Sequence, residues 1–440
     1  MIDQKTINED FLGFLNESPC SFWAVRNMRR RLEEAGFTAL SESEDWSLEG
    51  GRGYYVTRGG SALIAFRIPQ KAADFAGFQI MASHCDSPHL RVKPGKAVSA
   101  QGGLLKLNVE KYGGMIHASW LDRPLSAAGR LILRTEEGIS SRLFRIDRDL
   151  LVIPNVAIHM NREINSGFKY NPQQDLQPLL GEEGGQFGDL LDVIAAESGV
   201  QKEDILDADI SLYDRTRASL LGMNGEFIGG GRLDDLQCAF ASMTGLLSSE
   251  PDESVAVHCV FDNEEVGSGS RQGAASTFLK DTLLRICLWA GRSREDYLRT
   301  LASSFMVSAD NAHCIHPNHP EKADPVNRPR MNAGIVIKYS SDQKYTTDAV
   351  SAAVFRRICE KADVPCQIFT NRADMPGGST LGRISIAQVP VRAVDVGLAQ
   401  LAMHSSYEVA GAKDTAYLAE AARVHFSSSF REGRDGECFI

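Results

Sequence analysis

The chain has 440 residues, of which 43% are hydrophobic and 24% are charged, proportions typical of globular proteins with a large buried core. Its 47 Lys and Arg against 57 Asp and Glu give a formal net charge of −10, which excludes the basic surface expected of a nucleic-acid-binding protein. No apolar run approaches the ~18–20 residues of a membrane span, and the N-terminus lacks the features of a secretory signal, so we expect a cytoplasmic protein without a membrane partner.

The nine cysteines are dispersed along the chain and form no C-x-x-C pair. A zinc ribbon or a secreted disulfide framework would show tighter spacing. We therefore expect most of them to be small buried hydrophobic residues in a reducing compartment.

The predicted elements begin with two helices and three strands. Phe11, Phe14 and Leu15 share one helical face, and a second helix starts with Ser21 as its cap and stops at Gly36. Three apolar runs of strand length follow, GYYVTR, SALIAFRI and GFQIMAS. From about residue 94 to 231 the chain becomes rich in Gly pairs and short β-like runs such as KLNVEKY, RLILRT and DLLVIPNVAIHM, with one helix around FGDLLDVIAAES.

From Leu233 onward, helical patterns alternate with apolar strands. The strands are SVAVHCVF, SSFMVSA, GIVIKY and VRAVDVG. Such alternation predicts an α/β fold with a largely parallel sheet covered by helices on both faces. The β-rich stretch that interrupts it predicts an inserted domain over residues 95–231, leaving a discontinuous domain made of residues 1–94 and 232–440.

Polar residues follow several of the predicted strands, where open α/β sheets bind their ligands. They are His84 and Asp86 after GFQIMAS, Asp234 at the start of the helix LDDLQCAF, Glu264 and Glu265 after VAVHCVF, Asp310 after SSFMVSA, and His404 after VRAVDVG. Imidazole and carboxylate groups converging on one rim suit a metal centre with an open position for water.

The spacing of these residues allows a division of labour. In His84-x-Asp86 one residue can bind a metal while the other accepts the second ring N–H. Of the adjacent Glu264 and Glu265, one can bind metal while the other acts as general base, and a carboxylate would have to bridge two metals ~3.5–4 Å apart. The competing interpretation is structural: a core histidine, surface glutamates, and Asp234 as a helix N-terminal carboxylate.

Three further patterns in the sequence imitate functional motifs. Gly267-x-Gly269 followed by Gly273 imitates a dinucleotide-binding loop, but its spacing and acidic surroundings disfavour that interpretation. His313, His316 and His319 are separated by prolines, which favours a loop with one histidine near the substrate. The segment GGST at 377–380 is either a plain turn or a source of backbone N–H groups for a carboxylate, with Gly377 and Gly378 as substrate-binding candidates.

With these motifs in view, the sequence resembles the aspartyl aminopeptidases, a family of dinuclear zinc aminopeptidases. The resemblance runs over nearly the whole chain. It is carried by SHCDSPHLRVKP, IPNVAIHMNR, GGRLDDL, FDNEEVGSGSRQGA, SADNAHCIHPNHPEK, NRADMPGGSTLGR and QLAMHSSYE.

The resemblance implies a role for each site residue. His84 and Asp310 would hold one zinc, Glu265 and His404 the other, with Asp234 bridging both, Glu264 as general base on a metal-bridging water, and Asp86 orienting His84. Lys338 matches the lysine that meets an acidic substrate side chain, with a plain strand-end lysine as the alternative. Mn²⁺ or Co²⁺ would tolerate the same ligands.

The resemblance also implies a three-layer αβα catalytic domain interrupted by a smaller β-rich dimerisation domain. Relatives form tetrahedral dodecamers built from dimers, and His159 matches a histidine that reaches a neighbouring active site, the alternative being an interface residue without catalytic effect. The implied activity is release of an N-terminal residue, Asp or Glu, from short peptides. Two alternatives stay open: a neutral aminopeptidase that prefers Leu or Ala, and an assembling cargo or scaffold protein with incidental activity.

Overall fold

A computed structural model describes residues 3–434 and 437–440. Within these residues the chain forms ten α-helices. They are α1 (Gln4–Glu17), α2 (Ser21–Glu34), α3 (Pro172–Asp175), α4 (Leu190–Ser198), α5 (Leu233–Leu247), α6 (Phe278–Trp289), α7 (Arg294–Ala302), α8 (Ala349–Ala362), α9 (Leu381–Gln388) and α10 (Asp414–Ser427).

The described residues also form twenty-four β-strands. They are β1 (Thr38–Leu40), β2 (Gly53–Arg58), β3 (Ala62–Arg67), β4 (Phe78–His84), β5 (His89–Val92), β6 (Val98–Ala100), β7 (Leu104–Lys106), β8 (Val109–Tyr112), β9 (Leu125–Arg134), β10 (Ile139–Arg145), β11 (Leu179–Glu182), β12 (Ile205–Asp214), β13 (Ser219–Leu221), β14 (Phe227–Gly230), β15 (Val255–Phe261), β16 (Phe305–Ala309), β17 (Ala312–His313), β18 (Ile335–Tyr339), β19 (Cys366–Thr370), β20 (Arg392–Gly397), β21 (Ala399–Leu401), β22 (Glu408–Gly411), β23 (Arg431–Glu432) and β24 (Cys438–Phe439).

The largest sheet has nine strands in the order β1-β2-β3-β15-β4-β16-β20-β18-β19. Its central strands β15, β4, β16 and β20 pair in parallel, while β2–β3, β3–β15 and β18–β20 are antiparallel. The predicted mixed, largely parallel sheet is therefore confirmed. The strands β4, β15 and β16 are buried at every position and mostly apolar because both faces of the sheet are covered.

Helices cover this sheet on two sides and complete three layers. One hydrophobic core contains residues of α1, α2, α5, α8 and α10, and a second contains residues of α6, α7 and α9. In the first, the ring of Phe240 lies 5.2 Å from that of Phe11 and 5.4 Å from that of Phe14. The helical face predicted for the N-terminus thus anchors α1 on α5. The second helix begins at Ser21, one residue earlier than its predicted cap implies, because Cys20 occupies the N-cap position.

The stretch predicted as an insert forms its own core around a five-stranded sheet in the order β10-β9-β12-β5-β8. Strand β5 lies before residue 94 yet pairs with β8 and β12. Strand β14 lies before residue 232 but pairs with β22 near the other end of the chain. The chain thus crosses between the two regions at β5 and β14, and the division into catalytic and dimerisation domains stays a prediction.

One predicted strand was wrong. In the run DLLVIPNVAIHM only Leu151 and Val152 form isolated β-bridges, and residues 153–171 contain no helix or strand. Pro154 cannot donate a backbone hydrogen bond. The side chains of Val156, Ile158 and Met160 are exposed, so the apolar face of this run meets no partner strand among residues 3–434 and 437–440.

Candidate metal centre

The predicted site residues lie at the carboxyl ends of the central strands and beside a second sheet. His84 ends β4, Asp310 follows β16 directly, and Glu264 and Glu265 open a 3₁₀ turn after β15. Asp234 lies in the first turn of α5, and His404 lies in the turn between β21 and β22. Strands β14, β22 and β21 belong to one five-stranded sheet, so that sheet brings Asp234 and His404 to the edge of the large one.

The structure brings all five residues proposed as metal ligands together in two groups. One group is His84, Asp234 and Asp310, and the other is Asp234, Glu265 and His404; within each, the candidate ligand atoms lie within 4.8 Å of one another. Asp234 belongs to both groups. Its Oδ1 lies 3.7 Å from Nε2 of His84, and its Oδ2 lies 3.4 Å from Nε2 of His404. Two oxygens of one carboxylate facing two histidines is the arrangement that a bridging ligand requires.

Asp86 holds His84 and both glutamates in place. Nδ1 of His84 lies 3.0 Å from the Asp86 carbonyl oxygen and 3.4 Å from its Oδ1, which leaves Nε2 directed at Asp234. The same carboxylate accepts hydrogen bonds from the backbone N–H groups of Glu264 and Glu265, each at 3.1 Å, and from the Tyr112 hydroxyl at 2.7 Å. Asp86 therefore orients a candidate ligand and positions the turn that carries the candidate base.

His404 is oriented by the region predicted as an insert. Its Nδ1 lies 2.7 Å from the carbonyl oxygen of Gly114, and its own carbonyl accepts a hydrogen bond from Ile116 N at 3.0 Å. Nε2 of His404 is thereby left facing Glu265 Oε2 at 3.3 Å. Gly113 has φ +75°, and a Cβ built there would lie 3.1 Å from the Glu265 Cβ, so this close approach favours glycine.

The residues present fit divalent cations. Asp234 Oδ1 and Glu265 Oε1 are buried without a hydrogen-bond partner among the described residues. Burial, reinforced by Asp310, Asp86 and Asp234, raises the pKa of Glu264 to about 8, although His84 opposes this shift. Burial likewise raises the pKa values of Glu265 and Asp310. Crowded carboxylates with unpaired oxygens beside imidazole nitrogens form the donor set that zinc accepts.

Lys338 lies next to the first group but is buried, with a relative exposure of 3%. Its Nζ donates a hydrogen bond to the Asn311 carbonyl oxygen at 2.7 Å and lies 3.8 Å from Asp310 Oδ1. Burial lowers the pKa of this ammonium, but Asp310 and Tyr345 outweigh that effect and raise it overall. Lys338 is therefore a charged group in contact with a candidate ligand, and its role toward substrate stays a prediction.

The other predicted residues lie outside the two groups. The carbonyl of Gly377 accepts a hydrogen bond from Lys344 Nζ at 2.9 Å, and a Cβ at Gly378 would meet open space. His159 is exposed on the irregular segment 153–171. Their substrate and catalytic roles stay predictions.

Of the three predicted loop histidines, His313 instead ends the short strand β17 near the site, and the other two lie in the segment that follows. The electrostatic surroundings of His313 include Lys338, Asp234 and His404. The other two, His316 and His319, contact each other with ring centroids 5.1 Å apart.

Sequence reasoning missed Glu408, which is buried beside the second group. Its Oε1 accepts a hydrogen bond from His404 N at 2.7 Å, and its Oε2 accepts one from Asp234 N at 3.1 Å. The only signal in the sequence is a glutamate four residues after His404 in QLAMHSSYE. Tyr112 and Gly114 were missed as well, since nothing in their local pattern indicates contact with Asp86, 26 positions away, or with His404, 290 positions away.

Known proteins match this chain over most of its length. The model of the family described as "Aminopeptidase I zinc metalloprotease (M18)" matches residues 14–426. A "Probable M18 family aminopeptidase 2" from Clostridium acetobutylicum is 44% identical over 423 residues, which cover 95% of this chain and 98% of that protein.

Solved structures resemble the chain over nearly its full length. A chain of the Ape4 and Nbr1 complex superimposes with a TM-score of 0.92 at 39% identity, covering 96% of this chain and 86% of that one. The S. cerevisiae mApe1 dodecamer gives a TM-score of 0.84 at 26% identity, covering 96% of each chain.

Among the described residues, no helix combines the length and apolar character needed to cross a membrane.

Proposed function

The chain belongs to the M18 family of zinc aminopeptidases, and we propose that it removes N-terminal Asp or Glu from short peptides at the site built around Asp234. The observation that carries this proposal is the pair of residue groups that share Asp234, with Glu264 beside them. On this proposal the first group holds one zinc ion of each subunit and the second group holds another.

The bound ions would supply Lewis-acid polarisation of the scissile carbonyl and acidify the attacking water. Glu264 then takes a proton from that water and delivers it to the departing amine. Asp86 supports this step because it holds the Glu264 backbone N–H at 3.1 Å and so sets the start of the turn. The imidazoles of His84 and His404 are oriented by Asp86 and Gly114, respectively.

Replacement of the proposed base tests the mechanism. Glu264→Gln keeps the size of the side chain but removes the proton acceptor, so kcat falls by about 100-fold or more while metal content is unchanged. Glu226→Gln, a partly exposed glutamate in a hairpin away from the two groups, is the matched control and keeps wild-type kcat. Activity of the Glu264→Gln enzyme close to wild type would refute the assignment of the base.

The acidic preference rests on Lys338, the ammonium nearest to Asp310. We would compare kcat/KM for matched peptides beginning with Asp, Glu, Leu or Ala. If Lys338 meets the substrate side chain, Lys338→Met lowers the Asp-to-Leu ratio by about tenfold or more, as expected for loss of a charge-assisted contact. Lys361→Met, an exposed lysine near the end of α8 that donates to the Ile440 carbonyl, is the control. An unchanged ratio, or a wild-type preference for Leu or Ala, supports the neutral aminopeptidase instead.

We also propose that the chain forms a homo-oligomer, a tetrahedral dodecamer built from dimers. A similar chain, S. cerevisiae mApe1, forms a dodecamer, and the exposed apolar side chains of the 153–171 segment are available for contact with a second copy. Light scattering of the purified protein measures the subunit number, and a monomer would refute the proposal.

The exposure of His159 is consistent with a role in a neighbouring subunit. Co-expression of His159→Ala and Glu264→Gln chains would regenerate sites with a wild-type base and a wild-type neighbouring histidine. Activity above that of either variant alone supports action between subunits, and no recovery refutes it. The cytoplasmic location, and Mn²⁺ or Co²⁺ as substitute metals, stay predictions.

A further inference from the structure

We propose that Glu408 is a positioning residue that sets the geometry of the Asp234–Glu265–His404 group and is needed for tight metal binding there. This inference rests on the proposed function, because it concerns the same site. The argument starts from where the two carboxylate oxygens of Glu408 lie.

Glu408 joins the backbones of two proposed ligands from different parts of the chain. Oε1 accepts from His404 N at 2.7 Å and Oε2 from Asp234 N at 3.1 Å. The side chain is 1% exposed, so neither bond competes with bulk water. Both oxygens are therefore used on backbone N–H groups, which makes Glu408 a link between two ligands rather than a ligand itself.

The position of Glu408 in the fold explains how one side chain reaches both backbones. It is the first residue of β22 and pairs with Gly230 of β14, four residues before Asp234. Glu408 also lies four residues after His404, directly after the turn that carries it. The carboxylate thus fills the gap between the turn after β21 and the start of α5.

His404 needs such support because its backbone is in the left-handed region, with φ +68°. This conformation is uncommon for a residue with a side chain and persists where surrounding bonds fix it. Glu408 binds the N–H of His404, Ile116 N binds its carbonyl, and the Gly114 carbonyl accepts from its ring. Of these three partners of His404, Glu408 also binds a second proposed ligand, Asp234.

The structure also predicts an asymmetry between the two groups. Asp86 faces the His84 ring and also binds the N–H groups of Glu264 and Glu265. Loss of Glu408 therefore loosens His404 and the backbone of Asp234, which both groups share, but leaves the contacts between His84 and Asp86 unchanged. The site formed by His84 and Asp310 should be the less affected one.

The test is a metal titration of the full-length apoprotein with Co²⁺, followed by its visible absorption, and with Zn²⁺ against a chelator. Glu408→Gln keeps the shape but supplies one acceptor oxygen instead of two. We expect one ion to bind within about threefold of wild type and the other to bind about 10- to 100-fold more weakly, the range reported for partners of metal ligands. Activity should return as metal is added in excess.

Asp414→Asn is the matched control. Asp414 is a buried carboxylate that also joins two backbone N–H groups, those of Asn332 at 2.7 Å and Gly334 at 3.2 Å, but neither is a proposed ligand. It should lower thermal stability without a selective change in metal affinity. Glu408→Asp retains the charge but is one methylene shorter, and it should weaken the same site if Glu408→Gln fails to fold.

The outcomes separate this inference from the proposed function. Wild-type protein that binds two ions and is active, together with a Glu408→Gln variant that binds both ions as wild type does or weakens both equally, overturns the positioning role alone. Wild-type protein that binds fewer than two ions, or is inactive when loaded, refutes the proposed function instead.

Discussion

The link made by Asp86 can be tested by changing one atom of its side chain. Asp86→Asn replaces an accepting oxygen with an amide NH₂, which is a donor. Three donors converge on this carboxylate at hydrogen-bond distance: Glu264 N, Glu265 N and the Tyr112 hydroxyl. Asparagine therefore leaves at least one of the donors facing another donor inside the protein.

The expected magnitude follows from those bonds. A hydrogen bond to a charged group contributes about 1.5–3 kcal/mol, and a buried donor without a partner costs about 1–3 kcal/mol, so Asp86→Asn should lower the free energy of unfolding by about 2–4 kcal/mol. The displaced turn carries the proposed base, and the His84 ring loses its charged neighbour. We therefore expect kcat/KM to fall by about 10- to 100-fold, as for other partners of metal ligands.

Tyr112→Phe gives the comparison that makes the assay decisive. It removes one donor to Asp86 but leaves both backbone N–H bonds intact, so its effect on kcat/KM should be clearly smaller. Metal content, thermal unfolding and peptide hydrolysis would be measured on both variants and on wild type. Asp86→Asn activity within threefold of wild type, or an equal loss in Tyr112→Phe, would refute the reasoning.

Three further predictions concern other parts of the molecule. Burial lowers the pKa of His258 to about 3, below its unfolded value near 6.5, so the unfolded state gains the proton first on acidification. The free energy of unfolding should therefore fall by about 2 kcal/mol between pH 6.5 and 5. His258→Gln should flatten that part of the curve of unfolding free energy against pH. Gly113→Ala should reduce kcat with little loss of secondary structure by circular dichroism, because its Cβ would press on Glu265. A hydrogen bond from Cys359 lowers the pKa of the exposed Cys366 thiol to about 7. At pH 8, mass spectrometry should therefore find Cys366 alkylated before the other cysteines. Cys359→Ala should slow that labelling.

The ligand set could be inferred from the sequence because each residue follows a strongly patterned element. His84 ends one buried strand of the large sheet and Asp310 directly follows another, and the carboxyl ends of parallel strands meet at one edge. The strand pattern alone did not indicate that a second sheet brings Asp234 and His404 to that edge. The division of the ligands into two groups that share Asp234 came from the resemblance to a family.

The residues that hold the ligands were not predictable in the same way. Glu408 binds a backbone N–H 174 positions away, and Gly114 accepts from a ring 290 positions away. Backbone groups occur at every residue, so no local pattern marks the ones that a distant side chain will meet. The failed strand at DLLVIPNVAIHM has a related cause, since strand propensity reflects packing against a partner strand, and beyond two isolated bridges this run finds none in the described part of the chain.

The contacts that Tyr112, Gly114 and Ile116 make across the junction with the region predicted as an insert have a thermodynamic consequence. Because Gly114 and Ile116 orient His404, a cation that binds only to the oriented histidine also stabilises the docked arrangement of that region. The stabilising free energy grows with the logarithm of the free metal concentration. Linkage is reciprocal, so any event that braces the insert, including contact with another copy of the chain, increases metal retention by the same factor. Chelation should accordingly make the junction more accessible to proteolysis, and dilution to isolated subunits should make the metal easier to remove.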